Sequence, residues 1–183
     1  TALPELVMAL SDPNPQVQIG AATALKSMKR DAAMAVPALT VALGHKNRTV
    51  REAAADALAW TAPDLKQCEQ GLIKALGDPA KSVRGLAAIA LGRIGGKSEG
   101  VLNALSRSMR NQGNPQAAWA VGAFGARGQA AEVLPMLISV LSHNQETVQI
   151  AAIRALRSMK SGAKPAVSYL QNLLSSPSSE LAE

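Results

Sequence analysis

Aromatic side chains are nearly missing from this chain: two Trp, one Tyr and one Phe in 183 residues. A core without large rings must close through Ala, Leu, Val and Ile, and small side chains let neighbouring helices approach closely. Cys68 is the only cysteine, which excludes an internal disulfide and a thiolate metal cage. It lies in an apolar stretch that reads as helix, where a thiol acts as a small buried hydrophobe. Charged residues make up 17% of the chain, and no apolar run is long enough to cross a membrane. No signal peptide is recognisable. A Gly-rich phosphate loop, a nucleophile elbow and an HExxH pattern are all lacking. No catalytic residue, cofactor or metal site is therefore expected.

What is present is a period. Leu10, Leu43, Leu76, Met109, Leu141 and Leu174 each close an apolar run, at steps of 33 residues with one of 32. Leu25, Leu58, Leu91, Phe124 and Leu156 keep the same beat. A period of this length in an Ala/Leu-rich chain predicts stacked helical repeats. Each repeat reads as two helices. The first contains segments such as Leu3-Pro4-Glu5-Leu6, Val36-Pro37-Ala38-Leu39 and Leu134-Pro135-Met136-Leu137, with proline near the helix start, where its missing N–H is harmless. A polar break follows, such as Ser11-Asp12-Pro13-Asn14 or Gly77-Asp78-Pro79-Ala80, and supplies N-cap candidates. The second helices are predicted at 17–28, 50–61, 83–94, 116–127 and 148–159. Gly95-Gly96, Gly128 and Gly162 are expected to stop three of them.

The segments Val50-Arg51-Glu52-Ala53-Ala54-Ala55-Asp56-Ala57-Leu58 and Val83-Arg84-Gly85-Leu86-Ala87-Ala88-Ile89-Ala90-Leu91 resemble the HEAT repeat, most closely the short variety named after phycobilisome lyases. The resemblance covers nearly the whole chain and implies an all-α, right-handed solenoid of stacked antiparallel helix pairs. Five full repeats plus one extra helix are expected, at about 1–30, 31–63, 64–96, 97–128 and 129–162, with a partial repeat at 163–183. Gln18 and Gln149 replace the arginine of the motif, and the fourth repeat departs further, with Gln116-Ala117 and Gly122-Ala123-Phe124-Gly125. Local distortion is expected there. The tail from Ser175 to Leu181 reads as the start of another second helix, which suggests a piece of a longer solenoid.

In HEAT-like arrays the second helix of each pair lines the concave surface. Outward positions form rows: Ile19, Gly20, Thr23, Ser27; Glu52, Ala53, Asp56, Trp60; Gly85, Leu86, Ile89, Arg93; Ala118, Trp119, Gly122, Ala126; and Ile150, Ala151, Arg154, Ser158. Trp60, Leu86, Ile89, Trp119 and Ile150 make an apolar band across them, with Arg93 and Arg154 beside it and Glu52 and Asp56 at an acidic end. Exposed apolar surface rimmed by charge marks a protein-binding face, and Trp and Arg are the usual anchors. The opposing reading buries either tryptophan between repeats. The leading expectation is a non-catalytic scaffold that holds a helix or an extended segment of another protein.

The formal charge of +6 offers a second surface. Lys26, Lys29, Arg30, Lys97, Arg157 and Lys160 form a stripe near helix ends that suits phosphates or an acidic partner. Cations also gather at helix C-termini to complement the dipole, which is the plainer account. Nucleic acid is the secondary partner class. The resemblance also implies two specialised uses, phycobilin lyase subunits and DNA alkylation glycosylases. An apolar face with acids at one end argues against DNA. His45 and His143 fall in matching turns three repeats, or about 30 Å, apart, too far to share a metal. Glu52 and Asp56, at i and i+4, are read as solvated acids rather than a catalytic pair.

Overall fold

The computed structural model describes residues 2–64, 66–95, 98–164, 166, 167 and 171. Ten α-helices and no strands occur among them: α1 (Leu3–Ala9), α2 (Pro15–Met28), α3 (Val36–Ala42), α4 (Arg48–Thr61), α5 (Glu69–Ala75), α6 (Lys81–Ile94), α7 (Glu99–Gln112), α8 (Pro115–Phe124), α9 (Ala130–Ile138) and α10 (Glu146–Ser158). They form five antiparallel pairs stacked into a helical solenoid. Gly96, Lys97, Leu174 and the tail from Ser175 to Leu181 lie outside the described residues.

The two rows of helices pack differently. The even helices contact one another in strict succession, α2 on α4, α4 on α6, α6 on α8 and α8 on α10, whereas α3, α5 and α7 only graze their neighbours. Most odd helices are short, α1, α3 and α5 having 7 residues against 14 in α2, α4 and α6. A stack that is tight on one side and splayed on the other curves toward the tight side, so the even helices form the inner surface.

Small residues make that tightness. A Cβ at Gly122 would lie 2.5 Å from Cβ and 2.8 Å from Cα of Ala155. One at Gly92 would meet Cζ3 of Trp119 at 2.7 Å and Cα of Ala120 at 2.8 Å. Around these contacts Ala54, Ala55, Ala87, Ala88, Ala117, Ala118, Ala120 and Ala152 are fully buried. The buried side chains join into one cluster from Leu10 to Ala166, with Leu25, Leu58, Leu91 and Phe124 of the second periodic series at its centre.

Turns between paired helices share one hydrogen-bond pattern. Asp12, His45, Asp78 and His143 each accept from the backbone N–H two residues on, at 2.7, 3.0, 2.8 and 3.1 Å. The motif arginine then clamps the turn. Arg51 Nη1 donates to the carbonyls of His45 and Lys46 at 3.0 and 3.1 Å. Arg84 Nη1 donates to those of Asp78 and Pro79 at 2.8 and 3.0 Å. Gln18 and Gln149 reach the equivalent carbonyls of Asp12 and His143 at 2.5 and 2.6 Å, which explains why glutamine is tolerated there. Arg51 also grips Asp78 of the next repeat with two bonds, Nε to Oδ2 at 2.7 Å and Nη2 to Oδ1 at 3.0 Å. The fourth repeat has Ala117 at the clamp position. Its turn closes instead through left-handed Gly113 (φ 58°) and through Asn114 Nδ2, which donates to Ser108 Oγ at 3.0 Å and to the Arg84 carbonyl at 3.2 Å.

Several boundaries differ from the sequence expectation. The even helices begin one or two residues earlier, at Pro15, Arg48, Lys81, Pro115 and Glu146, because the caps stand further upstream; Asn14 and Asn47 accept from Gln16 and Thr49 N–H at 2.9 and 2.8 Å. The fourth even helix ends at Phe124 in a π-helical turn, Gly125–Gln129, which is the expected distortion. Pro135 sits inside α9 rather than at its start, because that turn feeds directly into a helix beginning at Ala130. Cys68 is the residue before α5, fully buried, its thiol pushed up to about 11 by burial and then by the charges of Asp64 and Glu69. Gly95 does end its helix with positive φ; Gly128 (φ 103°) breaks the π-helical turn beyond Phe124, and Gly162 is not at positive φ, Lys160 (φ 51°) taking that conformation as Lys29 (φ 53°) does in the first repeat.

Two tests follow from these contacts. Gly122→Ala should lower unfolding free energy in urea by about 1–3 kcal/mol, since backbone of α10 must retreat. Arg51→Ala should cost about 1–3 kcal/mol, because the half-buried Asp78 carboxylate loses its two charge-assisted bonds. Burial raises the Asp78 carboxyl, but the Arg51 bonds, the Ala80 N–H and the Arg84 charge outweigh it and hold it below the usual range. A carboxyl lowered in the fold lends stability that is complete above its unfolded value and is lost as pH falls through the folded one. Stability of the wild type should therefore drop below about pH 4, and Asp78→Asn should flatten that slope in pH-dependent urea titrations.

Candidate protein-binding face

On the inner surface the structure brings Trp60, Leu86, Ile89, Arg93 and Trp119 together, on α4, α6 and α8. Trp119 is 45% exposed, its ring lying over Gly92, which has no side chain to push it away. Trp60, Leu86 and Ile89 are half-buried, with Trp60 and Leu86 packed against the core. The Arg93 guanidinium sits over the Trp60 indole, 3.5 Å from the ring centroid. Trp60 is thus neither buried between repeats nor fully presented; the arginine covers one of its faces.

Other row positions are corrected. Gly85, Ala118 and Gly122 are buried, because the next even helix lies over them: Gln116 beside Gly85 and Ala155 beside Gly122. Ile150 and Arg154 occupy the matching positions on α10, and both are exposed there together with Ile153, Arg157 and Lys160. Ile150, Ile153, Arg154 and Arg157 lie on the exposed side of α10, the last described even helix, and Lys160 lies just beyond its end.

The acids are not free. Glu52 accepts from Arg48 Nε at 2.7 Å and from the Ser82 hydroxyl of the next repeat. The Ser82 bond first, and then Arg48, hold its carboxyl below the usual range against burial. Asp56 pairs with Lys26 at 2.7 Å. The expected acidic end of the groove is therefore neutralised, and Glu52 and Asp56 act as separate ties between repeats rather than as a pair. Lys26 leaves the basic stripe for the same reason, and Lys97 lies outside the described residues.

Lys29 and Arg30 instead border a cavity of about 460 Å³ at the C-terminal ends of α2, α4 and α6, closed by Trp60, Arg93, Trp119 and Arg127. Arg127 was absent from the sequence-level site. Its Nη1 donates to the Gly92 carbonyl at 2.6 Å and its Nη2 to that of Arg93 at 3.3 Å, so it caps α6 from the following repeat. A cation just before Gly128 was the available signal, but its target depends on the π-helical turn. His45 and His143 are separate turn residues; His143 Nε2 also lies 3.1 Å from the Arg110 carbonyl. Among the described residues no three His, Cys, Asp or Glu gather as a metal site, and no helix is long and apolar enough to cross a membrane.

A stack of this kind, with tight inner helices and clamped turns, defines a helical-repeat scaffold. A family model for HEAT repeats matches residues 3–68 and 98–183, and the chain belongs to that family. No curated relative matches it in sequence. Among solved structures it is similar to an engineered protein (23% identity, TM-score 0.66, covering 97% of this chain and 90% of that one). It is similar to a designed armadillo repeat protein in complex with the peptide (KR)4 (20% identity, TM-score 0.66, 98% and 94%). The complex of CpcE and CpcF of phycocyanin lyase from Nostoc sp. PCC7120 is also similar (24% identity, TM-score 0.65, 95% and 71%). At these identities the likeness is one of fold.

Lys29 gives a test of the local backbone. With φ 53° and ψ −134° it occupies a region that suits glycine, as Gly95 does at the matching position (φ 75°, ψ −160°). Lys29→Gly should raise unfolding free energy by about 1 kcal/mol, the strain relieved exceeding the extra chain entropy of glycine. Urea denaturation measures it.

Proposed function

We propose that this chain is a non-catalytic scaffold that holds a segment of another protein on its inner face. The observation that carries the reading is Trp119, a large ring left 45% exposed beside half-buried Leu86 and Ile89 in a chain with only four aromatic residues. The face is built on helices whose backbones touch, so it is largely formed before a partner arrives and little ordering cost accompanies binding. Trp60 and Arg93 extend it toward the C-terminal ends of the even helices. The fold likeness to a designed repeat protein bound to a peptide, and to a two-protein lyase complex, supports a protein as the occupant. Nucleic acid ranks second, because the basic stripe is broken where Lys26 pairs with Asp56.

Affinity capture from the source lysate, with wild type and Leu86→Ala/Trp119→Ala as baits, checks this. Far-UV circular dichroism controls for folding. The expected result is a protein partner retained after nuclease treatment whose recovery falls at least about tenfold with the double variant. Equal recovery by both baits would place the contact elsewhere. Capture abolished by nuclease would favour nucleic acid.

A further inference from the structure

The cavity at the C-terminal edge of the inner face has a distinct chemistry. Two indoles, Trp60 and Trp119, stand in its wall with four cations, Lys29, Arg30, Arg93 and Arg127, and no acidic residue lines it. Arg127 is committed to the α6 carbonyls. Among the described residues, the side chains of Lys29, Arg30 and Arg93 make no ion pair, whereas Lys26, one turn earlier, has Asp56. Like charges gathered without counter-charge repel one another and favour an anion between them. The dipole of α2 accounts for a cation at its end, Lys29 as well as Lys26, but not for the gathering of four cations from three repeats around one cavity.

We infer that this cavity receives an acidic segment of the partner protein, an Asp or Glu beside an apolar or aromatic side chain. The inference rests on the proposed use of the inner face. The Arg93 guanidinium sits over Trp60 and the residue is exposed, so its N–H donors remain for a carboxylate fork. Lys29 and Arg30 add charge from the adjacent repeat, and the open face of Trp119 takes the apolar neighbour. A volume of about 460 Å³ suits a few side chains. A nucleic-acid strand fits poorly, because its charge repeats with every nucleotide. Beyond the cavity the inner face offers Leu86 and Ile89, together with Glu52 and Asp56, whose cations are already engaged.

A displayed library of random peptides, each about a dozen residues long, panned on the purified chain at physiological salt, tests the inference. Selected peptides should carry Asp or Glu within two residues of Trp, Phe, Leu or Ile. Their affinity, read by fluorescence polarisation, should fall about tenfold or more in Lys29→Glu/Arg30→Glu and in Trp60→Ala. The first variant changes only exposed side chains, and circular dichroism checks both. Selected peptides that are neutral or basic overturn the inference; if they also lose affinity with Leu86→Ala/Trp119→Ala, the inner-face reading stands. Acidic peptides indifferent to Lys29→Glu/Arg30→Glu overturn it as well. An oligothymidylate that binds more tightly than any selected peptide and is lost with the same charge reversal would assign the cavity to nucleic acid.

Discussion

Backbone contact between consecutive even helices is the constraint on which this structure depends. Gly92 lies under Trp119 and Ala120, and Gly122 lies against Ala155, at distances that leave no room for a β-carbon. Each repeat buries its apolar side only against its neighbours, so stability passes along the stack through these contacts. The same closeness sets the curvature. With the inner helices touching and the outer ones splayed, the solenoid must bend, and the inner surface becomes the face on which side chains from three repeats converge.

Polar side chains hold the register that packing alone would leave loose. Four of the five turns between paired helices are fastened from within by a long donor six residues on, arginine in two repeats and glutamine in two. Ties between repeats are sparser and individually chosen: Arg51 to Asp78, Glu52 to Ser82, Lys26 to Asp56, Arg127 to the end of α6. Most of the acids that looked available for recognition are consumed by these ties. What remains unpaired on the inner face is cationic and aromatic, and that imbalance, rather than the net charge, points to the character of a partner.

The placement of the two tryptophans ties the proposed binding face to the packing of the repeats. Glycine at position 92 permits the approach of α8 and simultaneously makes room for the Trp119 ring beside α6 without burying it. Trp60 is shielded on one face by Arg93, from the next repeat. Neither arrangement comes from a single helix. Both need the spacing of two neighbours, and so a substitution that loosens the stack would disturb the proposed binding face as well.

Much of the architecture was legible in the linear order of residues. The 33-residue beat, the alternating apolar runs and the proline and asparagine punctuation determine the number, order and pairing of the helices, because periodicity and capping are local properties of the chain. The fourth repeat's Gly122-Ala123-Phe124-Gly125 announced a distortion, which the π-helical turn realises. The site was legible only in part. Trp60, Leu86, Ile89, Arg93 and Trp119 could be assigned to one face from their register, but Gly85, Ala118 and Gly122 were assigned to it as well and are buried, since burial at a given repeat position depends on whether another helix lies over it. Which acids were free and where Arg127 reaches were decided by tertiary structure alone. Each depends on a contact between residues about 30 positions apart, and only stacking makes such residues neighbours.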